Sequence, residues 1–296
     1  MTRASGLEYN LRKMSDSTRD APTVEEIWRS YLTTGHLPYS VYYPWYMSVS
    51  LRPVVRRLPA SPRCRLCYYP FRGMGGMAVR HLLGIEPSRM NPTVCNFCER
   101  FAEEHQGGAE VETTMLFADV RGSTALAEGM SSTEFGRLIG RFYSVASKVL
   151  FDHNAMIEKL IGDEVAAFFV PGIAGLYHAR AAVEAARAIL HATGHGTPGG
   201  PWLPVGVGVH VGLAFIGAVQ ADQGAADMVV LGDTANTGAR LASQAGPGEV
   251  LVSDAVREAA ALDTDGWEER LLQLKGRSEP VTAWAMRVGQ LVETKA

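Results

Sequence analysis

The sequence lacks any long run of apolar residues. A helix that crosses a membrane needs about 20 consecutive apolar residues, and no stretch of the 296-residue chain reaches that length. The first residues also lack the apolar centre of a secretory signal, because Glu8, Arg12 and Lys13 are scattered among polar residues. With 47% hydrophobic and 20% charged residues, the composition indicates a globular protein with a real core. We therefore predict a cytoplasmic protein.

The chain also lacks a large excess of charge of either sign. Its net charge of −3 gives no general attraction to nucleic acid. Arginine is nevertheless concentrated in residues 52–89, where Glu86 is the only acid. This basic stretch follows a group of aromatic residues, namely Tyr39, Tyr42, Tyr43, Trp45 and Tyr46. Such a combination occurs in surfaces for RNA, lipid headgroups or a partner protein, but we favour a small aromatic core with a basic, solvated face.

Cysteine is scarce, yet all four cysteines fall into two C-x-x-C pairs. The pairs are Cys64 with Cys67 and Cys95 with Cys98. Structural disulfides are rare in the cytoplasm, and four thiolates are a ligand set of closed structural zinc sites. We predict one zinc ion at these cysteines. An iron–sulfur cluster, which also takes four thiolates, and free or redox-active thiols are the alternatives.

Between the two pairs, Gly73-Met74-Gly75-Gly76 resembles a phosphate-binding loop only in its glycines. The Gly-Lys-Ser/Thr that completes such a loop does not follow. We predict a flexible turn at this point.

Three regions are predicted from the composition along the chain. Residues 1–22 are polar and without pattern, which indicates a mobile N-terminus. Residues 23–105 form a small Cys-rich, metal-binding region that opens with a short amphipathic helix. Residues 99–110 are charged and contain glycine, so we predict a linker there. A second domain covers residues 112–288.

Two aspartates of the second domain stand at the ends of predicted strands. Asp119 follows a β-branched, apolar strand that starts near residue 112, and Asp163 lies in a two-residue turn between two short strands. If these strands are neighbours, the two carboxylates converge at one edge of a sheet. A divalent cation such as Mg²⁺ or Mn²⁺ would relieve their repulsion. Taken alone, each aspartate is also compatible with a turn or helix cap.

The element order predicts the fold class. A long helix begins at the capping box of Ser131 and Glu134 and follows the first strand, and the pattern continues as β-α-β-β-α-β. This order is typical of a ferredoxin-like α+β domain, an antiparallel sheet with helices on one face. His210 in the glycine-punctuated fourth strand is predicted to be a satisfied core or interface residue. Asn236 and Arg240 stand one helical turn apart and suit sugar and phosphate contacts.

Residues 112 to about 288 resemble the class III nucleotidyl cyclase catalytic domain. Five segments in the family's order carry the resemblance: Phe117-Ala118-Asp119-Val120-Arg121-Gly122-Ser123-Thr124, Glu158-Lys159-Leu160-Ile161-Gly162-Asp163, Gly206-Val207-Gly208-Val209-His210-Val211-Gly212, Leu231-Gly232-Asp233-Thr234-Ala235-Asn236-Thr237-Gly238-Ala239-Arg240-Leu241 and Leu274-Lys275-Gly276. The resemblance implies attack of a ribose 3′-hydroxyl on the α-phosphate, with release of pyrophosphate.

The resemblance also implies roles for single residues. Asp119 and Asp163 match the pair that binds two divalent metal ions, Mg²⁺ or Mn²⁺. Lys159 matches the lysine that recognises the base and argues against a guanylate cyclase. Asn236 matches the residue that orients the ribose, and Arg240 matches the one that stabilises charge on the α-phosphate. In family members, the metal-binding aspartates come from one subunit, and the residues that contact base, ribose and α-phosphate come from the other. The resemblance therefore implies a homodimer with composite sites.

Further candidates for substrate contacts are Gly122, Ser123 and Thr124, whose backbone N–H groups are predicted to face the phosphates, and Lys275 of the last motif. One position departs from the pattern. The second base-selecting residue is usually Asp or Thr in adenylate-specific members and is Val229 here. A valine side chain cannot accept a hydrogen bond from adenine, so selection of ATP over GTP is predicted to be weaker.

We predict an adenylate cyclase that binds ATP and carries an N-terminal metal-binding unit. The alternatives are a cyclase of relaxed or different base specificity and a silent, dimerising cyclase-homology module. The presence of Asp119, Asp163, Asn236 and Arg240 opposes the silent module, because such a module has no chemical need for all four. A third hypothesis makes the N-terminal segment a nucleic-acid or membrane-binding unit.

Overall fold

The computed structural model describes residues 21–38, 41, 51–58, 62–220, 226–275 and 277–288. The aromatic residues between Tyr39 and Tyr46 lie outside the described residues, as does nearly all of the predicted mobile segment 1–22. Within the described part of the chain, no helix is both long and apolar enough to cross a membrane.

Among the described residues, the helices that precede the sheet are α1 Val24–Thr34, α2 Arg52–Arg57, α3 Gly73–Leu83 and α4 Asn96–Glu104. The first confirms the amphipathic helix predicted from the sequence. Its capping box is complete, because the backbone N–H of Glu26 donates to the Thr23 hydroxyl at 3.2 Å and the Thr23 N–H donates to the Glu26 carboxylate at 2.8 Å. The apolar face of this helix buries Ile27, Trp28 and Leu32.

Two predictions for this region are wrong. Residues 99–110 are not a linker, because α4 runs through Glu104 and the first strand begins at Gly107. The charged side chains of Glu103 and Glu104 are exposed on α4, while Ala102 is buried. Gly73-Met74-Gly75-Gly76 is not a flexible turn but opens α3. Packing selects glycine there, since a Cβ on Gly76 would lie 2.6 Å from the carbonyl carbon of Phe71.

The second region begins with the predicted β-α-β-β-α-β order, and this fold prediction is confirmed. Its elements are β1 Gly107–Val120, α5 Ser123–Glu128, α6 Ser132–Asp152, β2 Met156–Ile161, β3 Glu164–Phe169, α7 Pro171–Ala174, α8 His178–Ala192 and β4 Val205–Val219. The chain continues through β5 Asp227–Leu231, α9 Asp233–Gln244, β6 Glu249–Ser253, α10 Asp254–Ala259, β7 Glu268–Leu272 and β8 Val281–Arg287.

The strands form one sheet in the order β2-β3-β1-β4-β6-β8-β7, and β5 pairs with the distal half of β4. Among the described strands, all pairs are antiparallel except β4 with β6, which makes the sheet mixed rather than purely antiparallel. The first strand starts earlier than predicted, and its residues pair with β4 over the whole range from Gly107 to Val120. Strand β7 was not predicted.

Alternate residues of β1 face two separate cores. Leu116, Ala118 and Val120 belong to the core that includes Phe142 of α6 and Ile189 of α8. On the opposite face, Met115 and Phe117 belong to a core shared with α9 and with the N-terminal helices. Successive side chains of a strand point to opposite faces of the sheet, and both sets are buried in β1. The sheet is therefore covered on both faces, not on one face as predicted.

Glycines in β4 allow α9 to lie directly on the sheet. A Cβ on Gly208 would lie 2.2 Å from the backbone nitrogen of Ala242 in α9. A Cβ on Gly206 would lie 2.7 Å from the carbonyl oxygen of Ala245, just beyond the same helix. This close approach explains the glycine-punctuated strand of the sequence and fixes the position of α9 against the sheet.

The Cys-rich region packs on the same face of the sheet as α9. The indole N–H of Trp28 donates to the carbonyl of His105 at 2.8 Å. Leu66, between the first two cysteines, belongs to one continuous core with Met156 of β2 and Met228 of β5. The N-terminal region is thus continuous with the sheet through apolar contacts rather than separated by a spacer.

Candidate active site

Asp119 and Asp163 are brought together at one edge of the sheet. Asp119 is opposite Glu164 in the β1–β3 register, which places it beside the hairpin turn that carries Asp163. The backbone N–H of Val120 donates to the carbonyl of Asp163 at 3.2 Å and fixes the two chain segments together. Both aspartates are partly exposed. The two aspartates therefore lie on adjacent chain segments, because β1 and β3 are neighbours.

Asp119 forms an ion pair with Arg121. The Arg121 guanidinium also donates to the carbonyl oxygens of Ser243, at 3.1 Å, and Ala245, at 3.4 Å, at the end of α9. Burial lowers the pKa of Arg121, and the carboxylates of Asp163 and Glu164 oppose that shift. Arg121 thus connects the aspartate edge to α9 and supplies positive charge where carboxylates converge.

A tyrosine of α6 fixes the hairpin turn. The Tyr143 hydroxyl donates to the carbonyl of Gly162 at 2.8 Å, immediately before Asp163. Gly162 has a φ of 59°, the left-handed conformation that a two-residue hairpin turn requires. Burial and the charge of Asp163 raise the pKa of Tyr143.

A tight turn and a helix follow β1 as predicted, but the predicted side-chain cap of the helix is not present. Gly122 has a φ of 68° and precedes the short helix α5, but its N-terminus has no side-chain cap. Ser123 is partly buried and Thr124 is exposed. A Cβ on Gly122 would meet nothing within 4 Å, so its left-handed backbone and not crowding favours glycine.

Lys159 lies on β2 and Val229 lies on β5. A bulge in β2 falls at Glu158, immediately before Lys159. Lys159 and Val229 are both partly buried. Burial raises the pKa of Glu158, while Lys159, the Val230 N–H and Arg65 act in the opposite direction.

Asn236 and Arg240 lie on α9, one turn apart as predicted. Asn236 is exposed and Arg240 is partly buried. Among the described residues, Arg240 has no carboxylate within ion-pair distance. In this single chain its guanidinium is therefore not neutralised by Asp119 or Asp163.

Exposed Lys275 lies in the segment after β7, and its neighbour Gly276 lies outside the described residues. Arg277 joins this segment to the start of α9 through an ion pair with Asp233 and a 2.7 Å hydrogen bond to the Thr237 hydroxyl. His210 is satisfied, as predicted, by a 2.8 Å hydrogen bond with the Ser253 hydroxyl. Burial and nearby Arg277 lower the pKa of His210 to about 4, so it is neutral at pH 7.

A family model described as the adenylate and guanylate cyclase catalytic domain matches residues 107–286. This segment is more than half of the chain. The chain belongs to this family. The match begins at the first residue of β1 and contains every predicted nucleotide and divalent-metal residue, and it confirms the resemblance found in the motifs.

Curated relatives carry cyclase names. The chain is 26% identical over 188 residues to an adenylate cyclase of Anabaena cylindrica, covering 59% of this chain and 36% of that protein. It is 30% identical over 145 residues to adenylate cyclase 1 of Rhizobium meliloti, covering 46% of this chain and 22% of that protein. The matches thus span about a third or less of these relatives.

Solved cyclase structures share the fold. The guanylyl cyclase Cya2 aligns with a TM-score of 0.55 at 25% identity, covering 64% of this chain and 98% of that chain. The adenylyl cyclase CyaB from P. aeruginosa aligns with a TM-score of 0.51 at 27% identity, covering 60% and 93%. Similar structures therefore include enzymes named for either nucleotide.

The four cysteines lie outside the cyclase segment and form one cluster. Their sulfur atoms all lie within 4.8 Å of one another, with Cys64 and Cys98 3.9 Å apart and Cys67 and Cys95 3.6 Å apart. Burial alone would raise the pKa of Cys64, but hydrogen bonds with the other three cysteines hold it well below its usual value. The arrangement is compatible with a metal ion held by four sulfur ligands.

Sequence reasoning missed Arg121, Tyr143 and Arg277 as residues that shape the site. Arg121 had a local signal, because it follows Asp119 by two residues on the same strand end. Tyr143 had none, since it reaches Gly162 from a different element 19 positions away. Arg277 also acts over distance, on Asp233 and Thr237 of α9.

Proposed function

We propose that this cyclase domain converts ATP to 3′,5′-cyclic AMP and pyrophosphate. The observation that carries the proposal is the position of Asp119 and Asp163 on adjacent segments at one sheet edge, in a chain of the cyclase family. Both carboxylates are partly exposed and can accept a hard divalent ion as ligands. When bound there, Mg²⁺ or Mn²⁺ would acidify the ribose 3′-hydroxyl and neutralise triphosphate charge.

Arg240 and Asn236 are proposed to act on the substrate directly. The Arg240 guanidinium, which no carboxylate of the described residues neutralises, can meet the charge that develops on the α-phosphate during in-line displacement. Asn236, one turn earlier and exposed, can hold a ribose oxygen by hydrogen bonding. Lys275 and the backbone N–H groups at Gly122, Ser123 and Thr124 are proposed to contact the phosphates.

Lys159 is proposed to recognise the base, with Val229 beside it. Lysine can donate a hydrogen bond to N1 of adenine, which supports ATP as the substrate. Val229 favours a second candidate function, a cyclase of relaxed base specificity, because its side chain has no polar atom with which to reject guanine. The curated relatives named above are adenylate cyclases, and the structural neighbours include a guanylyl cyclase.

We further propose an active homodimer. Asp119 and Asp163 would form one wall of the nucleotide site, and Lys159, Val229, Asn236 and Arg240 of the partner would form the other. The lack of any carboxylate partner for Arg240 within the described chain supports this division. A two-fold axis would then create two composite sites.

The Cys-rich region 23–105 is proposed to hold a structural zinc ion and to form a metal-binding unit that packs on the catalytic domain, residues 112–288. The compact sulfur cluster supports this assignment over free thiols. An ATP substrate and reduced thiols both fit the cytoplasm as the compartment.

The decisive experiment incubates purified protein with Mn²⁺ and each of the four nucleoside triphosphates and resolves the products by mass. We expect cyclic AMP as the main product, with cyclic GMP as the minor one. The matched control is the Asp163→Asn chain, which keeps the size of the side chain and removes its charge. Absence of every cyclic product from the dimeric wild-type chain would favour the silent module instead.

A further inference from the structure

The first cysteine pair carries two residues that reach the strands of the proposed base site. Leu66 packs in one core with Met156 of β2 and Met228 of β5. Its neighbour Arg65 has a side chain that is only 15% exposed. The Arg65 Nη1 donates to the carbonyl of Glu158 in β2 at 2.8 Å, and its Nη2 pairs with the Asp227 carboxylate in β5.

These contacts are adjacent in the chain to Lys159 and Val229. Glu158 immediately precedes Lys159, and Asp227 precedes Val229 by two positions on the same short strand. Arg65 therefore connects β2 to β5 through two donors of one guanidinium. A planar guanidinium with two donors on one fork can make such a connection, and a point charge cannot.

The backbone of Arg65 is in turn fixed by the cysteine cluster. Cys64 and Cys67 flank the Arg65-Leu66 pair, so their sulfur positions determine the path of this short segment. The Arg65 N–H donates to the carbonyl of Thr93 at 3.0 Å, and the Cys95 N–H lies 3.3 Å from the Cys64 sulfur as its donor. Both C-x-x-C pairs of the cluster therefore help to hold Arg65 in place.

We propose that Arg65 is a positioning residue for the base-recognition wall and that the intact cysteine cluster sets nucleotide affinity through it. Arg65 keeps Lys159 and Val229 at the spacing that accepts a purine. Loss of metal from the cluster would release the segment between Cys64 and Cys67, and β2 and β5 would separate where Arg65 joins them. This inference rests on the proposed cyclase function and adds a route by which the state of the cysteines controls it.

The first test compares Arg65→Gln and Arg65→Lys with a control, Arg80→Gln. Arg80 lies in the same region and forms a 3.0 Å ion pair with Glu86 on the exposed surface. We expect Arg65→Gln to raise the KM for ATP about tenfold, as the loss of charge-assisted hydrogen bonds would. The kcat should stay within about threefold, Arg65→Lys should recover part of the KM, and Arg80→Gln should match the wild type.

Inhibition by the product pyrophosphate distinguishes a loss of base positioning from general damage to the nucleotide site in Arg65→Gln. Pyrophosphate contacts the phosphate and metal side of the site and has no base, so its inhibition constant should be unchanged in Arg65→Gln. An equal loss of affinity for ATP and pyrophosphate would overturn the inference in favour of a structural role. An unchanged KM for ATP in Arg65→Gln would overturn it directly.

The second test removes the metal with an organomercurial, which can react only at the cluster because the chain has four cysteines in all. The KM for ATP of the wild type should rise toward that of Arg65→Gln, and treated Arg65→Gln should change by less than about twofold. Equal rises in both proteins would overturn the proposed coupling. A wild-type chain that makes no cyclic product would defeat the proposed function itself, whereas an active chain with additive effects would defeat this inference alone.

Discussion

The Tyr143 hydroxyl donates a 2.8 Å hydrogen bond to the carbonyl of Gly162, so helix α6 holds the turn that carries Asp163. A backbone carbonyl at a hairpin turn would otherwise bond to water and leave the turn free to shift. The carboxylate of Asp163 is proposed to bind metal only in a defined position beside Asp119. Tyr143 is therefore expected to raise the affinity for the metal ion by holding the turn in one conformation.

We predict that Tyr143→Phe weakens activation by Mn²⁺. A single neutral hydrogen bond contributes about 0.5–1.5 kcal/mol, which corresponds to a two- to tenfold rise in the Mn²⁺ concentration for half-maximal rate. The kcat at saturating Mn²⁺ should change less. Tyr177→Phe is the control, because Tyr177 is 77% exposed. If both variants have the wild-type Mn²⁺ dependence, the turn does not need Tyr143.

We predict that Asp119→Asn and Asp163→Asn each lower kcat by at least about 10²–10³, since each removes a charged ligand from the reacting centre. Asp119→Asn should also lower the thermal midpoint, because it leaves Arg121 without its carboxylate. Asp265→Asn, a change at an exposed carboxylate, is the control for both measurements. Near-normal turnover of either variant at saturating Mn²⁺ would refute the assignment.

Local signals in the sequence predicted much of the fold. The capping boxes at Thr23 and Ser131 require only residues three positions apart, and both are present. The Gly162-Asp163 turn likewise depends on its own residues. Aspartates at strand ends were brought together because β1 and β3 are neighbours, which the β-α-β-β-α-β order implies.

The failures have a non-local origin. The many charges in residues 99–110 suggested a linker. In the structure α4 buries Ala102 and exposes Glu103 and Glu104. The sequence of this segment does not show which partners pack on Ala102, so it could not identify the helix. Gly76 in the first turns of α3 is selected by contact with Phe71. Contacts such as Arg65 with Asp227 join positions 162 residues apart, and no pattern in a single sequence specifies such a pair.

We predict that Val229→Thr and Val229→Asp sharpen the preference for ATP over GTP. A side chain that hydrogen-bonds the base discriminates against a base that lacks the matching group, whereas valine discriminates only by shape. The measurement is the ratio of kcat/KM for the two nucleotides. Val219→Thr, at an exposed position of β4, is the control. An unchanged ratio, or better use of GTP, would mean that Val229 does not face the base.

We predict about one equivalent of zinc per chain in protein purified without added metal. Cys→Ser at any of the four positions should loosen the N-terminal region, because a structural metal site contributes folding free energy directly. Elemental analysis and thermal unfolding check the two parts. Four freely titratable thiols without bound metal would contradict the assignment, and a brown protein with visible absorbance would indicate an iron–sulfur cluster.

The last prediction concerns the shared site. A homodimer that pairs Asp119 and Asp163 of one chain with Arg240 of the other contains two composite sites. Asp119→Ala chains and Arg240→Ala chains should each be inactive alone, because every site in either homodimer has one defect. A mixed dimer has one site with both defects and one with neither, so mixing the two variants should restore activity.

Random exchange of equal amounts makes about half of the dimers mixed, and each mixed dimer holds one intact site, so the mixture should reach about a quarter of the wild-type rate. The control mixes Asp119→Ala with Asp163→Ala chains, which damage the same wall. In that mixture every site has one damaged carboxylate, and the rate should stay at the level of either variant. Differently tagged subunits verify exchange by co-purification. If exchange is complete and the first mixture remains inactive, all catalytic residues come from one chain.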